Sequence, residues 1–380
     1  MIRRVIFWLH LAIGILVGLF IALMSLTGVL LTYEAQMEAW AKNAAIEVPG
    51  GAEPLGTDAL LAAAISLGGQ AGQSLVLPRD PGEAVSLVAG RGRETVINPY
   101  TGEAVPDAGA AMSETMFKVM ALHRWLSLSG RTELGGEIVK ISNLLFFGLL
   151  LSGAYLWLPR IWRWSQLKIR LWFRAGLPTV QARDNNWHHV LAFWSVIPLF
   201  LIILSGVVIS YPWASGMIYS LTGEEAPKGR PAPMRIELPQ GLAEAQLAPG
   251  ASELGPLLAE AGQELAPNWR RVTLILPQAE AAAVMVTFDS GNGQQTGRQL
   301  PVVVDRNSGA VMALERPEAS PASEWRRYFR FVHTGQVYGI WGQTIAGLAS
   351  LISLVLVYTG ISAGLRRLWG MMRKGRLARI

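Results

Sequence analysis

Four apolar runs, at residues 5–33, 136–158, 188–213 and 341–365, limit what this chain can become. Each reaches or exceeds the roughly 20 residues that a helix needs to cross a bilayer. Lipid offers no partner to a backbone N–H or C=O, so such runs are stable there as helices that satisfy their own backbone. The chain is 51% hydrophobic and only 16% charged over 380 residues, with 14 tryptophans, which is not the make-up of a soluble domain. The first run follows "MIRR" as a secretory signal would. Its apolar core is about twice the usual signal length, contains His10 and ends without an A-x-A cleavage site, so it reads as a retained span.

Charge predicts the orientation, because cytoplasmic loops collect Lys and Arg. Arg3 and Arg4 precede the first run. Arg160, Arg163, Lys168, Arg170, Arg174 and Arg183 lie between the second and third runs, opposed by Asp184 alone. The tail after the fourth run carries Arg366, Arg367, Arg373, Lys374, Arg376 and Arg379 and no acid. Every carboxylate except Glu137 and Asp184 falls in the two long loops. Both termini are therefore expected in the cytoplasm and both long loops outside it, in the periplasm of a bacterial inner membrane. The net charge of +6 is a topology signal and calls for no nucleic acid. The chain has no cysteine, which excludes disulfides, thiolate metal sites, iron–sulfur clusters and haem attached through C-x-x-C-H.

The two halves of the chain repeat one another. His10 is followed seventeen residues later by Thr27-Gly28, and His188 seventeen residues later by Ser205-Gly206. The second and fourth runs end in the same kind of dipeptide, Ser152-Gly153 and Thr359-Gly360. In the loops, "INPYTGEAV" at 97–105 matches "VDRNSGAVM" at 304–312, each reading as two strands around a turn with glycine where positive φ is needed. Helical stretches near 57–69 and 252–264, and alternating strands in "SLVLP", "AVSLVAG", "RRVTLILP" and "AAAVMVTF", complete a small α+β module in each loop. "EEAPKGRPAP" at 224–233 reads as a linker.

The expected architecture is thus a mainly α membrane protein with an internal two-fold repeat, four transmembrane helices and two α+β modules. Its segments are a first span (1–33), a module (34–111), an outer amphipathic segment (112–135), a second span (136–158) and a basic loop (159–187). The second half repeats this order: third span (188–213), module (214–324), amphipathic segment (325–340), fourth span (341–365) and basic tail (366–380).

All five histidines sit near the ends of apolar runs. Superposing the halves pairs His10 with His188 at the inner face and His123 with His333 at the outer face. Ionisable side chains in a membrane are costly and mark function; the plain alternative is an imidazole hydrogen-bonded between helices. Two facing imidazoles on separate helices suit bis-histidine ligation of haem iron in a bundle. Gly14 and Ala192, each four residues after a histidine, leave room for a flat macrocycle. Arg3, Arg4 and Arg183 inside, and Arg124, Arg327 and Arg330 outside, are placed to meet propionates. A zinc or copper site would need further ligands that no nearby cysteine or carboxylate supplies. His189 points about 100° away from His188 around the helix; it is either an interfacial neighbour or, with the helix rotated, the ligand itself. Trp325, Tyr328 and Phe329 read equally as pocket walls or as an interfacial helix face.

With "VIFWLHLAIG", "ALHRWL", "WHHVLAFW", "FVHTGQVYGIWGQ", the [ST]-G span ends and the paired turns, nearly the whole chain resembles the PepSY-associated transmembrane family, and within it the inner-membrane ferric-siderophore reductases. The resemblance implies periplasmic PepSY modules and two haem b groups between the helices, held by His10, His123, His188 and His333. The implied activity is reduction of siderophore-bound Fe(III). The sequence departs from the family pattern at His189, where a basic residue is commoner, and at Ala192, where glycine is. No G-x-G-x-x-G fingerprint joins a strand to a helix, so electrons are expected from an external donor, a cytoplasmic reductant or quinol. Two other functions fit the same residues: a haem-b quinol dehydrogenase or electron-transfer subunit serving another periplasmic acceptor, and a non-enzymatic PepSY sensor or binding protein. Arg326, Arg327 and Tyr328 are candidates for chelate docking by position alone.

Overall fold

The computed structural model describes residues 1–90, 93–227, 239, 241–242, 244–278, 280–293, 295–315 and 319–377. Most of the linker read at 224–233, from 228 onward, lies outside the described residues, as does Arg379. In chain order the first half contains α1 (Ile2–Leu31), α2 (Glu34–Asn43), α3 (Thr57–Ser66), β1 (Ser74–Pro78), β2 (Val85–Ala89), β3 (Arg93–Ile97), α4 (Ala110–Trp125) and α5 (Glu133–Trp157). Then come α6 (Trp164–Leu171), α7 (Val180–Ser210), α8 (Pro212–Leu221), α9 (Leu254–Glu264), β4 (Arg271–Ile275) and β5 (Ala283–Asp289). Last are β6 (Gln299–Asp305), β7 (Val311–Ala313), α10 (Pro321–His333) and α11 (Gly339–Leu377). The chain divides into a helical unit (1–34, 115–226, 320–380) and a sheet unit (35–114, 227–319).

In the helical unit, α1, α5, α7 and α11 are long and apolar enough to cross a membrane. Each extends beyond its apolar run. The third shows why most plainly. Thr179 caps α7 by accepting a hydrogen bond from the Ala182 N–H at 3.1 Å, which starts the helix at Val180 among polar residues. It stops at Ser210, because Pro212 pushes Tyr211 out of helical geometry and then opens α8 at its first position.

Both α1 and α7 pack against α5 and against α11, so α1 and α7 stand diagonally opposed across a four-helix ring. Close approach uses small residues, as membrane helix interfaces do. A Cβ at Gly18 would come within 2.8 Å of Ile361, and one at Gly364 within 2.7 Å of Leu11. These contacts, with Gly347 against Thr32 at the other end, make α1 and α11 antiparallel and put both termini at one end of the bundle. Polar groups inside are paired: Ser25 and Ser353 hydroxyls meet at 2.9 Å, and Gln343 Nε2 donates to the Thr32 carbonyl at 2.7 Å. At the opposite end α10 packs on α7 and α8. Its first turn is held by the Ser320 cap and by Glu224, which accepts from the Ala322 N–H at 2.9 Å.

The sheet unit is one antiparallel sheet of seven strands in the order β3-β2-β1-β4-β5-β6-β7. Strands from the two loops meet where β1 pairs with β4, from Ser74 opposite Ile275 to Pro78 opposite Arg271. A module with one bare edge is an aggregation hazard, and a core this small is marginal on its own; joining the modules relieves both. Leu75 and Leu274 are directly opposite and wholly buried. α3 and α9 cover the same core with Leu60, Leu61, Leu254 and Leu258. Asp58 on α3 caps α9, accepting from the Leu254 and Gly255 N–H groups at 2.9 and 2.7 Å. The paired turns are the same structure twice. Asn98 accepts from the Tyr100 N–H at 2.8 Å and Asp305 from the Asn307 N–H at 3.0 Å, and Gly102 and Gly309 both sit at φ +73°. Leu274→Ala, at the junction, is expected to destabilise the sheet unit by about 2–5 kcal/mol, read as faster amide exchange in β1 and β4 of the full chain.

Candidate functional site

All four predicted ligand histidines lie in the helical unit, and the bundle arranges them in two tiers. In the tier near the termini, His10 is on α1 and His188 on the diagonal helix α7. In the far tier, α4 delivers His123 and α10 delivers His333. The His123 and His333 ring centroids are 6.4 Å apart, their planes 59° to each other. On α1 the seventeen residues from His10 to Thr27 rise about 26 Å, most of the ~30 Å apolar thickness of a bilayer.

Each histidine uses Nδ1 on a hydroxyl of an [ST]-G dipeptide. His10 meets Ser152 of α5 at 2.8 Å, and His188 meets Thr359 of α11 at 2.9 Å. His123 meets Thr27 of α1 at 2.8 Å; His333 meets Ser205 of α7 at 3.2 Å and the Ile202 carbonyl at 2.8 Å. In none of the four does Nε2 form a hydrogen bond to a described residue. The dipeptides were visible in the sequence as a repeat; their partners were not.

Outer histidines are pushed toward the neutral form. Burial, then the neighbouring His333 charge, lowers His123 to about 4, and burial lowers His333. Beside them Arg124 lies against Trp125, 4.9 Å from its ring centre, and Arg330 against Phe331 at 5.8 Å. Burial and the charge of Arg330 depress Arg124 below the ordinary arginine range. Neither makes an ion pair with a described carboxylate.

At the terminus end, the Arg4 side chain is exposed and makes no hydrogen bond or ion pair among the described residues. Arg3 instead closes the end of α5, donating to the Leu156 and Leu158 carbonyls at 2.6 and 2.7 Å. An arrangement not singled out by sequence lies beside His188. Asp184, four residues before it on α7, binds Arg183 and Arg366, each at 2.8 Å. Arg366 Nη1 is buried and has no hydrogen-bond partner among the described residues.

His189 stands at 83° to His188, ring centroids 6.5 Å apart, and meets no [ST]-G hydroxyl. Of the docking candidates, Arg326 donates to the Tyr219 hydroxyl at 3.0 Å, Arg327 pairs with Glu324 at 3.3 Å, and the Tyr328 and Tyr338 hydroxyls meet at 2.7 Å. Trp325 meets Tyr328 edge-on and Phe329 at a tilt and is 53% exposed, so this cluster is a surface of α10.

The donor set fits haem iron better than a bare metal. Among the described residues no group of three or more His, Cys, Asp or Glu side chains could hold a metal ion. A porphyrin supplies four nitrogens, so iron needs only two imidazoles from the protein. His123 and His333, with ring centroids 6.4 Å apart, are the pair that would supply two such imidazoles.

A fold of four spans, a paired seven-stranded sheet and two histidine tiers defines a duplicated membrane protein. The model of the PepSY-associated TM region matches residues 7–367, and the chain belongs to that family. No curated protein matches the chain.

Proposed function

We propose that this protein is a haem b-containing reductase of the bacterial inner membrane, which takes electrons from a cytoplasmic reductant or quinol and delivers them to siderophore-bound Fe(III) in the periplasm. The supporting observation is the His123–His333 pair at 6.4 Å, with an unbonded Nε2 on each ring. His10 and His188 form the second pair on diagonal helices. Haem b, when bound, supplies one-electron redox chemistry.

The chain's own residues do the rest. His10 with His188, and His123 with His333, would hold haem iron at two depths. Arg124 and Arg330 beside one tier, and the unpartnered Arg366 Nη1 beside the other, offer cations to propionates. The bundle core, with Val17, Ile21, Leu199 and Ile203, keeps water out between the tiers. The basic residues at the terminus end support a cytoplasmic side for that end, and the acidic long loops a periplasmic side for themselves. One electron converts chelated Fe(III) to Fe(II), which hard oxygen ligands hold far more weakly, so iron leaves.

The test is a purified full chain with a low-spin haem b spectrum and two haems per chain. After dithionite reduction and desalting, a ferric hydroxamate chelate should reoxidise it with one Fe(II) trapped per haem. Colourless protein from haem-replete cells would remove the haem reading. Stable reduced haem in the presence of chelate would leave an electron carrier for another acceptor. His189→Ala is expected to keep both haems and unchanged spectra, whereas His188→Ala loses one.

A further inference from the structure

We propose that the four [ST]-G dipeptides are histidine-positioning units: the hydroxyls of Ser152, Thr359, Thr27 and Ser205 fix His10, His188, His123 and His333 as the Nδ1–H tautomer and so present Nε2 to iron. This rests on the haem reading for the iron, but not for the tautomer.

A hydroxyl has one proton. In all four units it is directed at a backbone carbonyl one turn earlier: Ser152 to Gly148 at 2.7 Å, Thr359 to Val355 at 2.7 Å, Thr27 to Leu23 at 2.8 Å and Ser205 to Ile202 at 2.8 Å. Carbonyls only accept, so the proton is committed there and the oxygen offers Nδ1 a lone pair. Nδ1 must then carry the hydrogen. His333 reaches the same answer twice, since the Ile202 carbonyl 2.8 Å from its Nδ1 is also an acceptor. A neutral imidazole protonated on Nδ1 keeps its lone pair on Nε2.

In two units the glycine also makes room for the ring, and in a third the contact is an ordinary one. A Cβ would lie 3.2 Å from His10 Cε1 at Gly153, 3.4 Å from His188 Cε1 at Gly360 and 3.7 Å from His123 Cε1 at Gly28. The fourth unit differs: at Gly206 the Asn143 amide occupies that space, 2.9 Å from a Cβ. Two units place the histidine on a span and the hydroxyl on the next span. The other two reverse this, with the hydroxyl on a span and the histidine on α4 or α10. The same chemistry reached from both directions is hard to assign to helix packing alone.

A donated Nδ1–H makes the imidazole a stronger donor to iron and favours Fe(III). The test uses full-length chain with ¹⁵N-labelled histidine, free of haem and haem-loaded. Without haem, four histidines should show the Nδ1–H pattern. Ser152→Ala, Thr359→Val and Thr27→Val should each mix tautomers at one histidine and, once loaded, raise the midpoint potential of one haem only. Ser152→Thr, Thr359→Ser and Thr27→Ser should restore both readings. Ser205→Ala should show a smaller change than Ser152→Ala, because the Ile202 carbonyl remains beside Nδ1. Ser25→Ala, which loses a buried hydroxyl pair that bonds to no histidine, should shift neither reading. Unchanged ¹⁵N shifts and potentials in the three variants, or an equal change in Ser25→Ala, would overturn the proposal. A wild-type chain that takes up no haem would sink the haem reading, while the haem-free spectra still decide the tautomer.

Discussion

Replacing His333 by alanine is expected to lower the haem content from two per chain to one and to cut electron delivery to a ferric chelate by at least about 100-fold. The expected loss exceeds the 10–100-fold typical of removing an outer-shell partner, because on the proposed reading the change removes an iron ligand itself. His333 is half-buried, its Nδ1 held by Ser205 and the Ile202 carbonyl of α7. His123, 6.4 Å away, would be left as a single imidazole. His10→Ala should give the same stoichiometry but lose the other haem, which a spectrum distinguishes if the tiers differ in potential. Activity should fall in both, since either tier alone leaves most of the ~30 Å core uncrossed. Haem analysis of the two variants beside wild type checks this. Two haems retained with unchanged spectra in either variant would show that the ligand assignment is wrong.

The parts of this molecule that were legible in its sequence are those carried by local signals. Apolar length located all four spans, and the shared turn in 97–105 and 304–312 predicted two glycines at positive φ, both found at +73°. Contacts between distant segments were another matter. Pairing of β1 with β4 joins Leu75 to Leu274, and no periodicity in either strand says which partner it takes. The first turns of α7, "VQARDNN", carry no apolar pattern, and the Thr179 cap starts the helix ahead of its apolar run. His188 and His189 are equivalent by composition, and the difference between them is made by Thr359, 171 residues later on another helix. The [ST]-G repeat was readable as a repeat, yet each hydroxyl's purpose depends on which helix faces it.

The last case is Asp184, a carboxylate that sequence placed only as the single acid of a basic loop. It is 1% exposed, lies one turn before His188 and holds Arg183 and Arg366 at 2.8 Å each. Arg366 in turn lies seven residues after Thr359, two turns along the same face of α11. The ion pair therefore ties α7 to α11 one to two turns beyond the point where His188 meets Thr359. Removing one partner of a buried pair typically costs about 3–5 kcal/mol, because the other charge stays behind. Arg366 is one-third exposed and can reach partly toward water, so Asp184→Leu is expected at the lower end, about 3 kcal/mol. Thermal unfolding of the full chain, followed by tryptophan fluorescence, measures it. The double variant Asp184→Leu/Arg366→Met should recover most of the loss, because no buried charge is then orphaned. A loss under about 1 kcal/mol in the single variant, or no recovery in the double, would mean that packing rather than this ion pair sets the register. With the lock opened, the His188 tier should also broaden spectrally while the His123–His333 tier, at the other end of the bundle, stays as it was.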